Sequence, residues 1–559
     1  MKPAGHQCLL SLALLGVSCS GIGQITVPLS DPELAVDSAV FTDLPMIFDP
    51  GLERTAPTLT FSNVTVRAGL NVRHEIQGEQ TSDPERIVAG VAAGDYDNDG
   101  FVDLYLVGGN GATANQLFRS LGNGQLAFEE VGAQAGVRLE GARSSGPLFA
   151  DLDGDNQLDL LVGAIENEPV RVFRGLKNGT FSAVPDDGGF ASVSRKNTFS
   201  GALADYDGDG DLDVAFSHWD WAPDRTEFPP IEQPQTLWAN NGLGQFSDAS
   251  VDSGLAELIG ADGRDYSFTP NFADINNDGW PDLLMASDFA TSQVFLNTQD
   301  GRFAETTDSV ISDENGMGAA VADYDNDGDL DWFVSAIATE ATVSPSGFSG
   351  NRLYQNNGNG QFTDVTDAAG VRIGGWGWGA CFADFNNDGF VDLFHVSGWA
   401  DDRFSGGLSR LFLSDGEGGF SDVTLAVGIF SDREGRGVVC ADLDRDGDID
   451  LLIANNNQFA ELYQNNLDYG HNWLTVQLRS AGPNTRGIGA KVWLTTPAGT
   501  QLRVISAGNN FVSQNPAEAH FGLGGQQAIV SLRVEWPDGG VSEQQNIAVN
   551  QLLVVYNNP

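Results

Sequence analysis

The stretch DYDNDGFVD, Asp95 to Asp103, carries carboxylates at its first, third, fifth and ninth positions. No feature of this 559-residue chain constrains its fold more, because the pattern recurs six times. The copies are DLDGDNQLD from Asp151, DYDGDGDLD from Asp205, DINNDGWPD from Asp274, DYDNDGDLD from Asp323, DFNNDGFVD from Asp384 and DLDRDGDID from Asp442. Successive copies start about 49–69 residues apart, the spacing of one supersecondary unit per repeat.

The rest of each unit repeats too. A small apolar segment comes first, as in VAGVAAG before Asp95 and FSGALA before Asp205, and an apolar strand follows, as in LYLVGG from Leu104. Next comes a hairpin with a Gly-rich turn, as in NRLYQNNGNGQFTDVT from Asn351, SRLFLSDGEGGFSDVT from Ser409 and QTLWANNGLGQFSDAS from Gln235. Four strands per unit make a propeller blade, so the expected fold is all-β, a seven-bladed β-propeller over residues 58–466. The seventh unit has a third strand, AELYQNN from Ala460, but no GxFxDVT strand after it. LTFSNVTVRAGL, Leu59 to Leu70, matches the missing strand and is expected to close the ring.

Two unit charges about 4 Å apart repel by roughly 4 kcal/mol at an effective dielectric near 20, so such clusters call for a cation. Several carboxylates in a flexible oxygen cage suit calcium better than magnesium. The expected ligands are Asp95, Asp97, Asp99 and Asp103; Asp151, Asp153, Asp155 and Asp159; Asp205, Asp207, Asp209 and Asp213; Asp274, Asn276, Asp278 and Asp282; Asp323, Asp325, Asp327 and Asp331; Asp384, Asn386, Asp388 and Asp392; and Asp442, Asp444, Asp446 and Asp450. That allows up to seven calcium ions, with Asn276 and Asn386 as neutral oxygen donors. Position six is Gly in six loops and Asn156 in the other, both tolerant of positive φ. Position seven varies freely, as a backbone-carbonyl ligand would. An EF-hand is excluded: its loop ends in Glu at position twelve between helices.

These loops between strands resemble FG-GAP/VCBS repeats, the calcium-bearing blades of integrin-type propellers. The C-terminal residues NWLTVQL from Asn472, TRGIGAKV from Thr485, FVSQ from Phe511, HFGLG from His520 and VEWPDGG from Val534 resemble the ASPIC/UnbV domain. The combination is similar to the cartilage acidic protein 1 family in a bacterial-type form, although the Cys-rich EGF-like tail of vertebrate members has no counterpart in these residues. Strands are expected near 474–479, 491–496, 501–506, 530–536 and 552–556, forming a small β-sandwich within residues 470–559. His520 and Ser513 suggest a pair, but no third residue completes a nucleophilic site.

Composition sets the class of partner. Lys and Arg number 28 against 77 Asp and Glu, a formal charge of −49, which argues against nucleic acid. Lys2 and the apolar run Cys8–Ser18 read as a signal peptide over residues 1–24, followed by a linker over 25–57. That run is too short to span a bilayer. Cys19 offers an alternative lipid anchor, but Gly16 stands where a lipobox wants Leu, Val or Ile. The chain therefore reads as secreted or extracytoplasmic. Cys381 and Cys440 remain of four cysteines, too few for a disulfide scaffold, and whether they pair is open.

A ligand site is expected on the face opposite the acidic loops, where irregular insertions carry Trp219, Trp221 and Trp399. The scarce cations Arg86, Arg143, Arg195, Lys196, Arg264, Arg433 and Arg436 all lie near the start of a blade's first strand, which would rim the channel on that face. They suit an anionic glycan or protein ligand; the competing reading pairs each with a local acid such as Glu434. The favoured function is an exported calcium-binding adhesion or binding module. A polysaccharide lyase or hydrolase and a scaffold for exported proteins are the alternatives. P-loop, HExxH and GxSxG motifs are absent from the sequence, and the six histidines are scattered.

Overall fold

Small residues dominate the first strand of several repeats: VAAG at Val91–Gly94, GALA at Gly201–Ala204 and AAVA at Ala319–Ala322. Strands this slim can converge on an axis. They do so in the computed structural model, which describes residues 59–76, 84–109, 113–192, 197–219, 235–255, 264–339, 348–399, 404, 407–467, 470–508 and 510–557. The expected signal peptide, the expected linker, Cys19, Arg195, Lys196 and Trp221 lie outside the described residues.

Among the described residues, each of the seven repeats forms an antiparallel sheet whose four strands neighbour one another in a meander. The first strands are Val91–Gly94, Ser144–Ala150, Gly201–Ala204, Ser267–Ala273, Ala319–Ala322, Gly375–Ala383 and Gly435–Ala441. They touch one another in that order, and the seventh touches the first, so the sheets are blades of a closed ring. The expected closing strand is present: Phe61–Asn63 pairs with Glu461–Asn465 as the outermost strand of the seventh blade. Every second strand begins at the ninth-position aspartate, which places each acidic loop between the first and second strands of its blade.

A disulfide joins Cys381 to Cys440, with Cα atoms 6.6 Å apart. It couples the first strands of the sixth and seventh blades, next to the seam. Covalent bridging therefore assists closure.

The C-terminal residues form a two-sheet sandwich. One sheet holds Glu518–Gly524, Asn472–Arg479 and Gln551–Tyr556, and the other Gly499–Val504, Lys491–Thr496, Ser531–Glu535 and Val541–Gln544. Two of these strands were not expected from sequence: HFGLG lies in Glu518–Gly524, an edge strand paired with Asn472–Arg479, and Val541–Gln544 is an edge of the other sheet. Leu474, Val476, Val492, Leu494, Phe521 and Trp536 are buried between the sheets.

The FVSQ segment leaves the sandwich and enters the propeller axis. First strands present an unpaired edge to the channel, and this segment satisfies it. Ser513–Gln514 pairs in parallel with Val91–Ala92, and the Val91 N–H donates to Val512 O at 3.1 Å. The Gln514 side chain substitutes for a strand: its Oε1 accepts from Phe149 N at 2.6 Å and its Nε2 donates to Phe149 O at 2.8 Å. Val438 N donates to Ser513 Oγ, and Cys440 N to Asn515 Oδ1. Phe511 is buried at the centre, 5.5 Å from Phe268 and 5.3 Å from Trp378 between ring centroids. The axis is a packed core. Phe511→Ala is expected to lower the unfolding free energy by about 3–5 kcal/mol in guanidinium denaturation, whereas Val530→Ala on the exposed sandwich surface should change it by less than about 0.5 kcal/mol.

Candidate metal centres

All seven acidic loops are built by the same hydrogen bonds. The first-position carboxylate accepts from the N–H of position six, as from Gly100 to Asp95 at 3.1 Å and from Gly389 to Asp384 at 2.7 Å. The fifth-position carboxylate accepts from the N–H of position seven, as from Phe101 to Asp99 at 2.9 Å. Both oxygens of the ninth-position aspartate are engaged by backbone. Asp331 accepts from Tyr324 N at 3.2 Å and Asn356 N at 2.8 Å, and the same pair of bonds recurs at Asp103, Asp159, Asp213, Asp282, Asp392 and Asp450. Position nine thus fastens the loop to the third strand of its own blade, a role beyond closing the cage.

The remaining oxygens converge. Ligand atoms of Asp95, Asp97 and Asp99; Asp151, Asp153 and Asp159; Asp205, Asp207 and Asp213; Asp323, Asp325 and Asp331; and Asp442, Asp444 and Asp446 lie within 4.8 Å of one another in each group. Several of these oxygens are buried with no donor: Oδ1 of Asp95, Asp153, Asp323, Asp325 and Asp444. A buried carboxylate oxygen without a partner is costly unless a cation completes it, so these residues fit a hard, oxygen-seeking divalent ion. Asn276 and Asn386 donate their amides to Asp278 and Asp388 at 3.0 Å, which relieves charge inside the fourth and sixth loops.

Burial, reinforced by neighbouring carboxylates, raises a subset of these acids. Asp95 and Asp205 rise to about 6, Asp323 to about 7 and Asp442 to about 8; at position nine Asp282 reaches about 7, Asp159 about 8, and Asp213 and Asp331 about 9.

The C-terminal sandwich sits directly on these loops. Pro483 lies against Gly154, and Thr485 Oγ1 donates to Asp151. Arg486 reaches Asn98 at 2.7 Å, and Lys491 Nζ lies 2.9 Å from Asp274 and 2.7 Å from Asn277. Trp493 covers Gly328, Gly522 abuts Asp384, and Trp473 covers Gly447. Glu518 holds Arg445 through two bonds of 2.6 and 2.7 Å. His520 does not pair with Ser513. It bonds Thr475 at 3.1 Å and Asn387 at 2.8 Å, and burial lowers its pKa to about 3, so it is neutral and donates from Nε2.

The expected cationic rim is altered by the structure. Arg436 is fully buried, stacked on Trp378 at 4.5 Å and Trp399 at 5.4 Å, with its guanidinium bonded to the carbonyls of Arg86, Gly398 and Gly435 and to Glu434. It braces the axis and is inaccessible to a ligand. Trp219 is also buried, stacked on Phe268 at 5.4 Å, with its indole N–H on Asp288. Arg433 pairs with Glu461 at 3.6 Å and Arg143 with Glu85 at 3.9 Å, although the Arg143 side chain stays 40% exposed. Arg86 lies over Trp399, which stacks on Trp376 at 4.8 Å, and Arg264 is half-buried. Sequence reasoning missed position four. All seven residues there have positive φ, Asn98, Gly154, Gly208, Asn277, Asn326, Asn387 and Arg445, and the recurrence of Asn and Gly was the available signal.

The blades and loops define a β-propeller of FG-GAP-like repeats that carries an ASPIC and UnbV domain: residues 95–162, 151–216, 274–334 and 341–395 match the FG-GAP-like repeat model, and 480–558 match the ASPIC and UnbV model. Its homologues include cartilage acidic protein 1. The human protein is 24% identical over 506 residues, 84% of this chain and 72% of that one, and the Xenopus tropicalis protein is 26% identical over 531 residues, 88% and 75%. Among solved structures, an Agrocybe aegerita lectin that recognises non-reducing terminal N-acetylglucosamine aligns at 19% identity and TM-score 0.39, over 68% of this chain and all of that one, too remote to bear on function.

Unfolded aspartates ionise near pH 4. Without metal the folded loops hold protons to higher pH, so their contribution to stability is present below about pH 4 and is lost as pH rises through 6 to 9. In EDTA the melting temperature should therefore fall between pH 5 and pH 9. A saturating divalent ion, which needs ionised carboxylates, should cancel or reverse that slope; a flat profile in EDTA would contradict the reading.

Proposed function

We propose that the protein is an exported, calcium-stabilised binding module whose acidic loops hold calcium and whose ligand surface lies on the face away from them. The observation that carries this reading is one loop geometry repeated seven times, with converging carboxylates in five loops and buried carboxylate oxygens without donors in four, among the described residues. Calcium tolerates irregular oxygen cages of mixed Asp, Asn and backbone carbonyl, which these loops offer. The Cys381–Cys440 disulfide supports an oxidising, extracytoplasmic compartment.

The sandwich covers the loop face and its FVSQ segment fills the axis, which favours the opposite face and the blade flanks as ligand surface. There Arg143 and the Trp376–Trp399 stack, both partly exposed, offer a cation and a flat apolar surface suited to an acidic glycan or an acidic protein segment. Burial of Arg436 and Trp219 removes those two residues from that surface.

Two measurements test the proposal. Ion binding to the folded state at a hundredfold excess over Kd adds about 2.7 kcal/mol per site, so EDTA should lower the melting temperature and calcium should restore it; a transition indifferent to both would refute the calcium assignment. On an array of sulfated and uronate glycans, Arg143→Glu is expected to reduce retention at least tenfold. Unchanged retention would remove Arg143 from the ligand face.

A further inference from the structure

The fourth position of each acidic loop lies between the third- and fifth-position ligands but points out of its own loop. At five of the seven junctions its side chain reaches the loop of the next blade. Asn98 Nδ2 donates to Asn156 O at 3.1 Å, Asn326 Nδ2 to Gly389 O at 3.1 Å, and Asn387 Nδ2 to Gly447 O at 3.0 Å. Arg445 Nε donates across the seam to Gly100 O at 3.1 Å. In these four cases the acceptor is the position-six carbonyl of the following loop. Asn277 Nδ2 instead donates to the position-seven carboxylate Asp329 at 2.8 Å.

The other two junctions have glycine at position four and are bridged by other means. Trp280, position seven of the fourth loop, lies over Gly208, where a Cβ would meet its ring at 2.6 Å. Pro483 of the sandwich lies at Gly154 and Gly210, loops two and three. Each loop is thus joined to the next around the whole ring.

The same side chains are held from above. Asn98 Oδ1 accepts from Arg486, Asn277 Oδ1 from Lys491 and Asn387 Oδ1 from His520, while Arg445 is held by Glu518. At Asn326 the carbonyl oxygen is buried without a donor, so this residue acts between loops without a bond to the sandwich.

We propose that the position-four side chains couple the seven loops into one cooperative calcium-binding ring. The coupling rests on the calcium assignment made above. An ion that pulls positions three and five of one loop into register fixes position four between them. At four junctions position four in turn holds the position-six carbonyl of the next loop, one peptide before the position-seven carbonyl expected as a ligand. Occupancy of one site thereby prearranges its neighbour, and the sandwich limits independent movement of the loops.

Asn326→Gly is the decisive variant, because glycine occupies the same position in loops two and three at φ 72° and 76°. Calcium is titrated by calorimetry into the chelator-stripped full chain. Wild type should bind with a Hill coefficient above 1. Asn326→Gly should keep the stoichiometry, lower the Hill coefficient and raise the half-saturating calcium concentration by roughly threefold to tenfold, the scale of one lost hydrogen bond. Asn98→Gly applies the same test at the first junction if circular dichroism shows Asn326→Gly unfolded. Independent sites in wild type, or a variant isotherm superimposable on wild type, would overturn the coupling and leave the calcium assignment standing. Absence of calcium binding in wild type would overturn both.

Discussion

One carboxylate, fastened by two backbone N–H groups, underlies the whole assembly. The ninth-position aspartate of each loop accepts from the second residue of its own loop and from the third strand of its own blade, with the geometry repeated seven times. Those bonds shape the loop, and in five loops positions one and three converge with position five or nine. The device that shapes the blade thus also gathers the carboxylates proposed to hold calcium.

The sandwich turns seven separate sites into a covered layer. Arg486, Lys491, Glu518 and His520 each make contact at a loop, and Phe511 to Asn515 enter the axis among the first strands. The axis contains Phe199, Phe268, Trp378 and Phe511 in one apolar cluster. The accessible chemistry is thereby moved to the opposite face and the flanks. Arg436, which looked like part of a cationic rim, is an axle pin: its charge is absorbed by carbonyls and by two indole faces.

The period of the repeat made the blades, their loops and the closing strand legible from sequence, because an acidic nonapeptide and a Gly-rich hairpin are local signals. Position six was legible from glycine alone. Position four was not, because Asn, Gly and Arg reach different partners there and share only their backbone conformation. The burial of Arg436 and Trp219 was hidden for another reason. Trp378, Trp399 and Phe268, which enclose them, are brought close only by ring closure, and docking of the sandwich depends on residues spread from Trp473 to Gly522. The disulfide belongs to the same class, since its partners become neighbours only when the sixth and seventh blades do.

The seam carries a consequence for biogenesis. Phe61–Asn63 leaves the ribosome early, yet its partner strand follows much later; Thr65 and Leu462, bonded across this seam, are 397 residues apart. Until the seventh repeat is made, that strand has no mate, and the seventh sheet lacks its outer edge until the strand arrives. A nascent chain with such an open edge is prone to mispairing and needs holding in an extended state. Ring closure therefore waits for the seventh repeat, whose third strand captures a segment made nearly 400 residues earlier.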